Sequence, residues 1–394
     1  MRIPESELQE RRERLLEHVH DQGLGGYVLF GQDYIQYFTG FWFLSNERPI
    51  VFAQSTAGGD AAIFVPEFEV ERTRAETAFG RIESYPEYPG RKHPMLILAR
   101  VVADLGLVGS IGADQDGYPG ILGYTGPALS EVTGATVSPI SDEIERMMAR
   151  KSANEIALIR ESGRWCAHAH RLLQEYTRPG ATEAEASLRA GSETTLAMLA
   201  ELGDSFGGQL GSSDGAKAGY RGQIGLRSSW AHAIAHNIAF APGDVLVTET
   251  GAPVWGYNAE LERAMIIGPP TDEMRRLFHH TLAAQDVAFA SFRPGATCSD
   301  IDAAVMRYFD KHALLPYWRQ HTGHAIGLRN HEAPFLDVGD HTPLEPGMVF
   351  TIEPGLYDAN VGGFRHSDTV VVTDDGIEIL TDYPRDIESL TLPA

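Results

Sequence analysis

The chain has 394 residues, 43% of them apolar, and carries 54 acidic against 32 basic side chains for a formal charge of −22. That length allows two domains, each with its own core. So negative a balance argues against nucleic acid or an anionic membrane as partner, and fits either a saline cell interior or an acidic mesophile protein. No stretch approaches the roughly 18 consecutive apolar residues of a membrane span. The charged run Met1–Glu17 lacks a signal-peptide core. Cys166 and Cys298, far apart, make no disulfide framework, so a cytoplasmic location is expected.

Residues 7–22, rich in Glu, Arg and Leu, predict an amphipathic helix stopped by Gly23. A strand over Tyr27–Phe30 and a short helix or turn over Asp33–Gly40 follow. Ile50–Ala53 and Ala61–Val65 are expected to pair across the Gly58-Gly59-Asp60 turn. Leu96–Leu105 has helical spacing, and Ser110–Ala113 is strand-like. No Gly-x-Gly-x-x-Gly opens a helix here, so a dinucleotide fold has no support. The pattern changes at Ser141, with helices expected over Asp142–Arg150, from Asn154 onward, and over Thr182–Ala200. Residues 203–229, dense in glycine and serine and including Arg221 and Arg227, are expected to form one long loop. Two more helices are expected at 271–291 and 298–313, joined by Arg293-Pro294-Gly295.

The most informative stretch is 243–268. Val245-Leu246-Val247 favours a strand, Gly251, Pro253 and Gly256 mark a turn, and a second strand-like run follows to Ile267. This predicts a hairpin carrying Glu249, Glu260 and Glu262. Glu260 and Glu262, two apart on a strand, share a face. Two like charges there cost free energy unless a cation, a bound substrate or a shared proton offsets them. Glu262→Gln is therefore expected to leave stability unchanged or raise it. Before the hairpin, Trp230–Asn237 holds His232 and His236, either of which suits general acid–base work. After it come Gln320–Gly327 with His324, then His331-Glu332-Ala333-Pro334, then an apolar strand ending in Glu353, then Gly362–Thr369 with Arg365. An acid such as Glu353 at the end of an apolar strand is not there for burial alone.

These segments, in this order, resemble the creatinase, Xaa-Pro aminopeptidase and methionine aminopeptidase superfamily. The matching patterns are Gly-Asp-x-x-x-x-carboxylate-x-Gly, Gly-Tyr-x-x-x-x-x-Arg, Gly-His-x-x-Gly, His-Glu-x-Pro, Glu-Pro-Gly-Met-x-x-x-x-Glu-Pro and Arg-x-x-Asp-Thr. Tyr37–Phe41 resembles the N-terminal domain of the two-domain members, and Lys151-Ser152-x-x-Glu155-Ile156 the opening of their catalytic domain. The resemblance implies a two-domain α/β chain: a smaller N-terminal domain over 1–142 and a pita-bread catalytic domain over 143–394.

The dimetal peptidases of that superfamily bind two divalent ions through Asp, Asp, His, Glu and Glu. The matching positions here are Glu249, Glu260, His324, Glu353 and Ser367. Two longer arms and a lost carboxylate spoil a two-ion bridge, given the tight metal–oxygen distances of about 2.0–2.2 Å. No cofactor is therefore expected. If an ion binds, it is a single one among Glu249, Glu260, His324 and Glu353. Ala259-x-Leu261-Glu262-Arg263 instead resembles the metal-poor branch, creatinase and ectoine hydrolase. That implies hydrolysis of a C–N bond in a small amidine, guanidine or amide substrate, with metal-dependent Xaa-Pro peptidase action as the alternative and a non-catalytic binding module as a third. On this reading His232 or His236, Glu262, Glu353, His324 and His331 are catalytic. Arg48, Tyr257, Glu249, Glu260, Arg329 and Arg365 hold substrate. Ser45–Pro49 resembles a creatinase loop reaching into a partner subunit, which implies a homodimer with Arg48 completing the site.

Overall fold

Short apolar runs punctuated by turn residues build the N-terminal elements of the computed structural model, which describes residues 2–118, 124, 126–203, 206, 215–293 and 295–394. Helix α1 (Glu5–Asp21) ends just before Gly23, whose φ of 71° is a left-handed stop. Strand β1 (Gly26–Leu29) leads to α2 (Gln32–Thr39), closed by Gly40 in the same conformation. β2 (Val51–Ser55) and β3 (Ala61–Pro66) pair antiparallel across the expected turn. Then come α3 (Val70–Glu76), β4 (Ile82–Tyr85), α4 (Pro94–Asp104), β5 (Ser110–Ala113), α5 (Leu129–Thr133), β6 (Thr136–Pro139) and α6 (Ser141–Ala149). Among the described residues these strands form one sheet in the order β4-β3-β2-β1-β5-β6. Val28, Phe64, Leu98 and Ile111 sit in its core.

The chain divides into two compact units, Ile3–Met148 and Ala149–Ala394. The division falls after α6 rather than before it, because α6 is tied to the first unit. Tyr34 donates to Glu145, and Tyr37 to the Met147 carbonyl. The change of pattern at Ser141 marks the start of this helix and not the start of the second unit.

In the second unit α7 (Ala153–Tyr176) opens on a capping box, with Ser152 Oγ accepting from Glu155 N and the Glu155 carboxylate accepting from Ser152 N. α8 (Glu183–Leu202), β7 (Lys217–Gly219), β8 (Val245–Val247), β9 (Glu249–Gly251), β10 (Glu260–Glu262) and β11 (Ala264–Ile267) follow. Next are α9 (Asp272–Ser291), α10 (Cys298–Lys311), β12 (Gly323–Ala325), β13 (Glu332–Leu336), β14 (Val349–Ile352), β15 (Gly355–Asp358), β16 (Gly362–Arg365), β17 (Ser367–Val372), β18 (Ile377–Ile379) and β19 (Thr391–Leu392). The main sheet runs β13-β12-β14-β17-β10-β9-β7, with β18 also on β17. Part of the expected 203–229 loop, and Pro294 of the α9–α10 connection, lie outside the described residues. Lys217–Gly219, within the expected loop, is a strand, because pairing with Glu249–Gly251 outweighs its glycine-rich surroundings.

The 243–268 hairpin forms, but it serves two sheets. Its base, β8 with β11, joins β19 in a small three-stranded sheet, while its tip, β9 with β10, lies inside the main one. The switch is at Thr248, whose hydroxyl donates to the Arg263 carbonyl and accepts from the Arg263 N–H. α7 packs on the hairpin through Ser162, Cys166 and His170, spaced at i, i+4 and i+8 on one helix face. Ser162 accepts from Ala259 N, Cys166 donates to the Ala259 carbonyl, and His170 Nε2 meets the Thr248 hydroxyl. From α9, buried Gln285 donates to the Ile352 and His366 carbonyls and to Asp368.

Candidate active site

Adjacent strands of the main sheet deliver polar side chains to a common row. β12 brings His324, the end of β14 Glu353, the start of β17 Ser367, β10 Glu260 and Glu262, and β9 Glu249. Glu262 is registered opposite Ser367, and Glu249 opposite Gly219. Ligand atoms of Glu260, His324 and Glu353 lie within 4.8 Å of one another. His324 Nδ1 donates to the Ala325 carbonyl, which turns Nε2 toward the carboxylates. That Nε2 is buried without a hydrogen-bond partner, 3.3 Å from Glu353 Oε1 but not aligned on it. An orphaned imidazole nitrogen facing two carboxylates fits a single divalent ion. The rest of the row does not fit a second ion. The Ser367 hydroxyl donates to Glu260 Oε1 at 2.8 Å, and the Arg221 guanidinium lies 2.5 Å from Glu249 Oε2.

Proton affinities follow from this crowding. Burial and then the charges of Glu262 and Glu353 push the Glu260 carboxyl well above the usual carboxylate range. Burial acts the same way on Glu353, but His324 and then Arg365 outweigh it and hold that carboxyl at about 2. Burial pulls the His324 imidazole down, yet Glu353 and Glu260 hold it up at about 9. The exposed His331 ring stacks on His324 with centroids 3.8 Å apart. Desolvation against that neighbour and repulsion from its charge bring His331 down to about 4.

Glu262 is not left to repel Glu260 unaided. Its carboxylate is gripped by the buried Arg365, with Nη2 donating to Oε1 at 2.6 Å and Nε donating to Oε2. Arg365 also donates to the Tyr357 hydroxyl and the Ala231 carbonyl. Arg365, expected to hold substrate, is engaged with Glu262, which it neutralises. Arg263 is fully buried and satisfied by Asp368 and by the carbonyls of Glu262, Ser367, Tyr383 and Pro384, which makes it a strut.

The two histidines left open by sequence differ in place. Ala231 contacts Arg365, and His232 lies close enough to His331 to lower its proton affinity. Both side chains are exposed, and the His236 backbone N–H donates to Glu183. Of the two, His232 is the one near enough to His331 to act on it. Tyr257 was expected to touch substrate, but its buried hydroxyl donates to Glu155 and fixes the hairpin turn to α7. Arg329 contributes through its backbone: its N–H donates to Glu332 Oε1 and its carbonyl accepts from Gly327. Glu332 itself pairs with Lys151 at 2.8 Å, both buried. Arg48, in the other unit, pairs with Glu47 and Glu87 of its own chain.

Sequence reasoning missed Arg221, Tyr357 and Gln320. Tyr357 donates to Gln320, and Gln320 to the Glu353 carbonyl, bracing the catalytic-type acid. Arg221 has a left-handed φ of 49° just past β7. Its only sequence signal is a basic residue before Gly222 in a glycine-rich tract.

The metallopeptidase family M24 model matches residues 157–374, a span that contains the entire row. The chain belongs to metallopeptidase family M24. The creatinase/prolidase N-terminal domain matches residues 11–147. An uncharacterized peptidase, YqhT, of Bacillus subtilis is 26% identical over 93% of this chain and 96% of its own. The Xaa-Pro dipeptidase of Pyrococcus horikoshii is 33% identical over 41% of this chain and 46% of its own. Among solved structures, the Xaa-Pro dipeptidase from Bacillus anthracis aligns with TM-score 0.82 and 26% identity over 98% of this chain and all of that one. The Pyrococcus horikoshii prolidase shares the fold, with TM-score 0.80 and 23% identity over 96% of this chain and 99% of that one. The two-domain α/β, pita-bread architecture is therefore that of the family. No helix among the described residues is long and apolar enough to cross a membrane.

Proposed function

We propose that this M24 protein hydrolyses a C–N bond of peptide type in a small, dipeptide-sized substrate at the Glu260–His324–Glu353 cluster. The observation that carries this reading is the buried, unpartnered His324 Nε2 turned toward two carboxylates. The Xaa-Pro dipeptidases among the relatives make a bond to proline the first to test. Glu260, His324 and Glu353 would hold a divalent ion, which when bound would supply Lewis-acid polarisation and lower the proton affinity of water. Glu353, ionised at neutral pH, is suited to take the proton of the attacking water as the C–O bond forms. His331, neutral at that pH and open to solvent, can hydrogen-bond the developing oxyanion, and the proton taken up by Glu353 passes to the departing amine as the C–N bond breaks, with His232 the candidate to relay it.

A second reading, metal-independent hydrolysis of an amidine or guanidine, draws on Ser367 and the Arg221–Glu249 pair, which leave no ground for a two-ion centre. Against it stands Glu262, whose two oxygens are both engaged by Arg365 and not open to a cationic substrate. Turnover of Xaa-Pro dipeptides and of linear and cyclic amidines, before and after chelation and after adding Mn(II), Co(II) or Zn(II), separates the readings. Metal-restored Xaa-Pro cleavage is the expected result. Amidine turnover that survives chelation would replace it with the second reading, and no turnover of either class would favour a binding module.

A further inference from the structure

Among the described residues, Arg221 is the one cation in the row that no sequence motif placed there. Its Nε lies 2.5 Å from Glu249 Oε2 and its Nη2 3.8 Å from Glu262 Oε1, so it serves two carboxylates on neighbouring strands. Arg365 serves Glu262 from the other side. Four carboxylates thus meet two guanidiniums and His324; Glu353 faces both His324 and Arg365, so the charge that remains unmatched is concentrated at Glu260.

We propose that Arg221 is a built-in second cation, occupying the ground in front of Glu249 so that the row accepts one divalent ion and no more. This rests on reading Glu260, His324 and Glu353 as an ion site. Two contacts independent of Arg221 agree with it. The Ser367 hydroxyl, which is no carboxylate, donates to Glu260 Oε1, and both Glu262 oxygens are bound by Arg365. A guanidinium beside an ion site lowers its affinity by like-charge repulsion, which salt screens only in part because Glu262 behind it is buried. The same guanidinium, 40% exposed, keeps Glu249 neutralised when no ion is present.

Equilibrium dialysis of the full chain against Mn(II), with elemental analysis, reads this without reference to turnover. The unaltered protein should bind one ion per chain. Arg221→Gln and Arg221→Gly, the latter suited to the left-handed φ, should tighten that ion at least about tenfold, since a nearby like charge is worth about one to three pK units. Arg221→Lys keeps the charge and should bind as the unaltered protein does. Arg227→Gln, whose parent guanidinium stacks on Trp230, should also change nothing. Two ions in the unaltered protein, unchanged affinity in both neutral variants, or no ion in any of them overturns the proposal. One ion with no Xaa-Pro cleavage instead removes the peptidase reading and leaves the role of Arg221 standing.

Discussion

Replacing Glu262 by Gln probes the least obvious feature of the site. By sequence, this change relieves a like-charge pair and should not harm stability. The structure reverses the sign. Glu262 and Arg365 are 1% and 2% exposed, and the carboxylate takes two guanidinium hydrogen bonds. Burial pushes the Glu262 carboxyl up to about 7, against the pull of Arg365 and with a further push from Glu353. The pair therefore recovers only part of its own desolvation cost, and its net contribution is small. Removing one partner is different, because it strands a buried guanidinium, at a cost of about 3–5 kcal/mol. Gln retains one acceptor, so the lower end, about 3 kcal/mol, is expected. For a unit of this size each kcal/mol moves the thermal midpoint by about 2–4 °C, giving a fall of roughly 6–12 °C. Circular dichroism melts of Glu262→Gln, Arg365→Met and the double variant test this. The double variant should recover part of the loss, since neither charge is then left alone. An unchanged or higher midpoint for Glu262→Gln alone would mean that Arg365 is not held by this carboxylate, and would return the pair to the repulsive reading.

Other expectations follow from the same contacts. Burial and then Arg263 bring His170 down to about 3, so the folded state resists its protonation. Its contribution is fully present above about pH 6.5 and is lost as pH falls toward 3, at about 1.4 kcal/mol per unit. Denaturant melts from pH 7 to 4.5 should therefore show a steeper loss for the parent than for His170→Gln, and equal slopes would refute the assignment. Lys151→Met leaves buried Glu332 without its partner and should cost about 3–5 kcal/mol in urea unfolding, while Mn(II) stoichiometry stays the same. A cost under 1 kcal/mol would show that the pair is not buried in solution. Thr248→Val keeps shape but deletes the hydroxyl that links the two sheets through Arg263 and meets His170. It should cost about 1–3 kcal/mol, and a variant as stable as the parent would show that the sheet switch does not depend on that hydroxyl.

Sequence by itself determined the local elements and the chemical types of most of the row. Helix stops at Gly23 and Gly40, the Ser152–Glu155 cap and the apolar run ending in Glu353 are legible because their physical causes lie within a few residues. The ordered motifs likewise named Glu249, Glu260, His324 and Glu353, since short patterns keep ligand-type side chains at fixed places on strands. What sequence could not decide is which side chain neutralises which. Glu262 and Arg365 are 103 residues apart, and their pairing depends on β10 lying beside β17, which begins just after Arg365 at the end of β16. Choosing His232 over His236 required knowing that Ala231 reaches Arg365, and placing Tyr257 required knowing that α7 passes beneath the hairpin turn. Arg221 was invisible because its role depends on β7 pairing with β9 and on a left-handed backbone, neither of which its neighbours encode. Local sequence sets the shape of each strand, but charge compensation in a buried row is a property of strand order, which only the tertiary structure supplies.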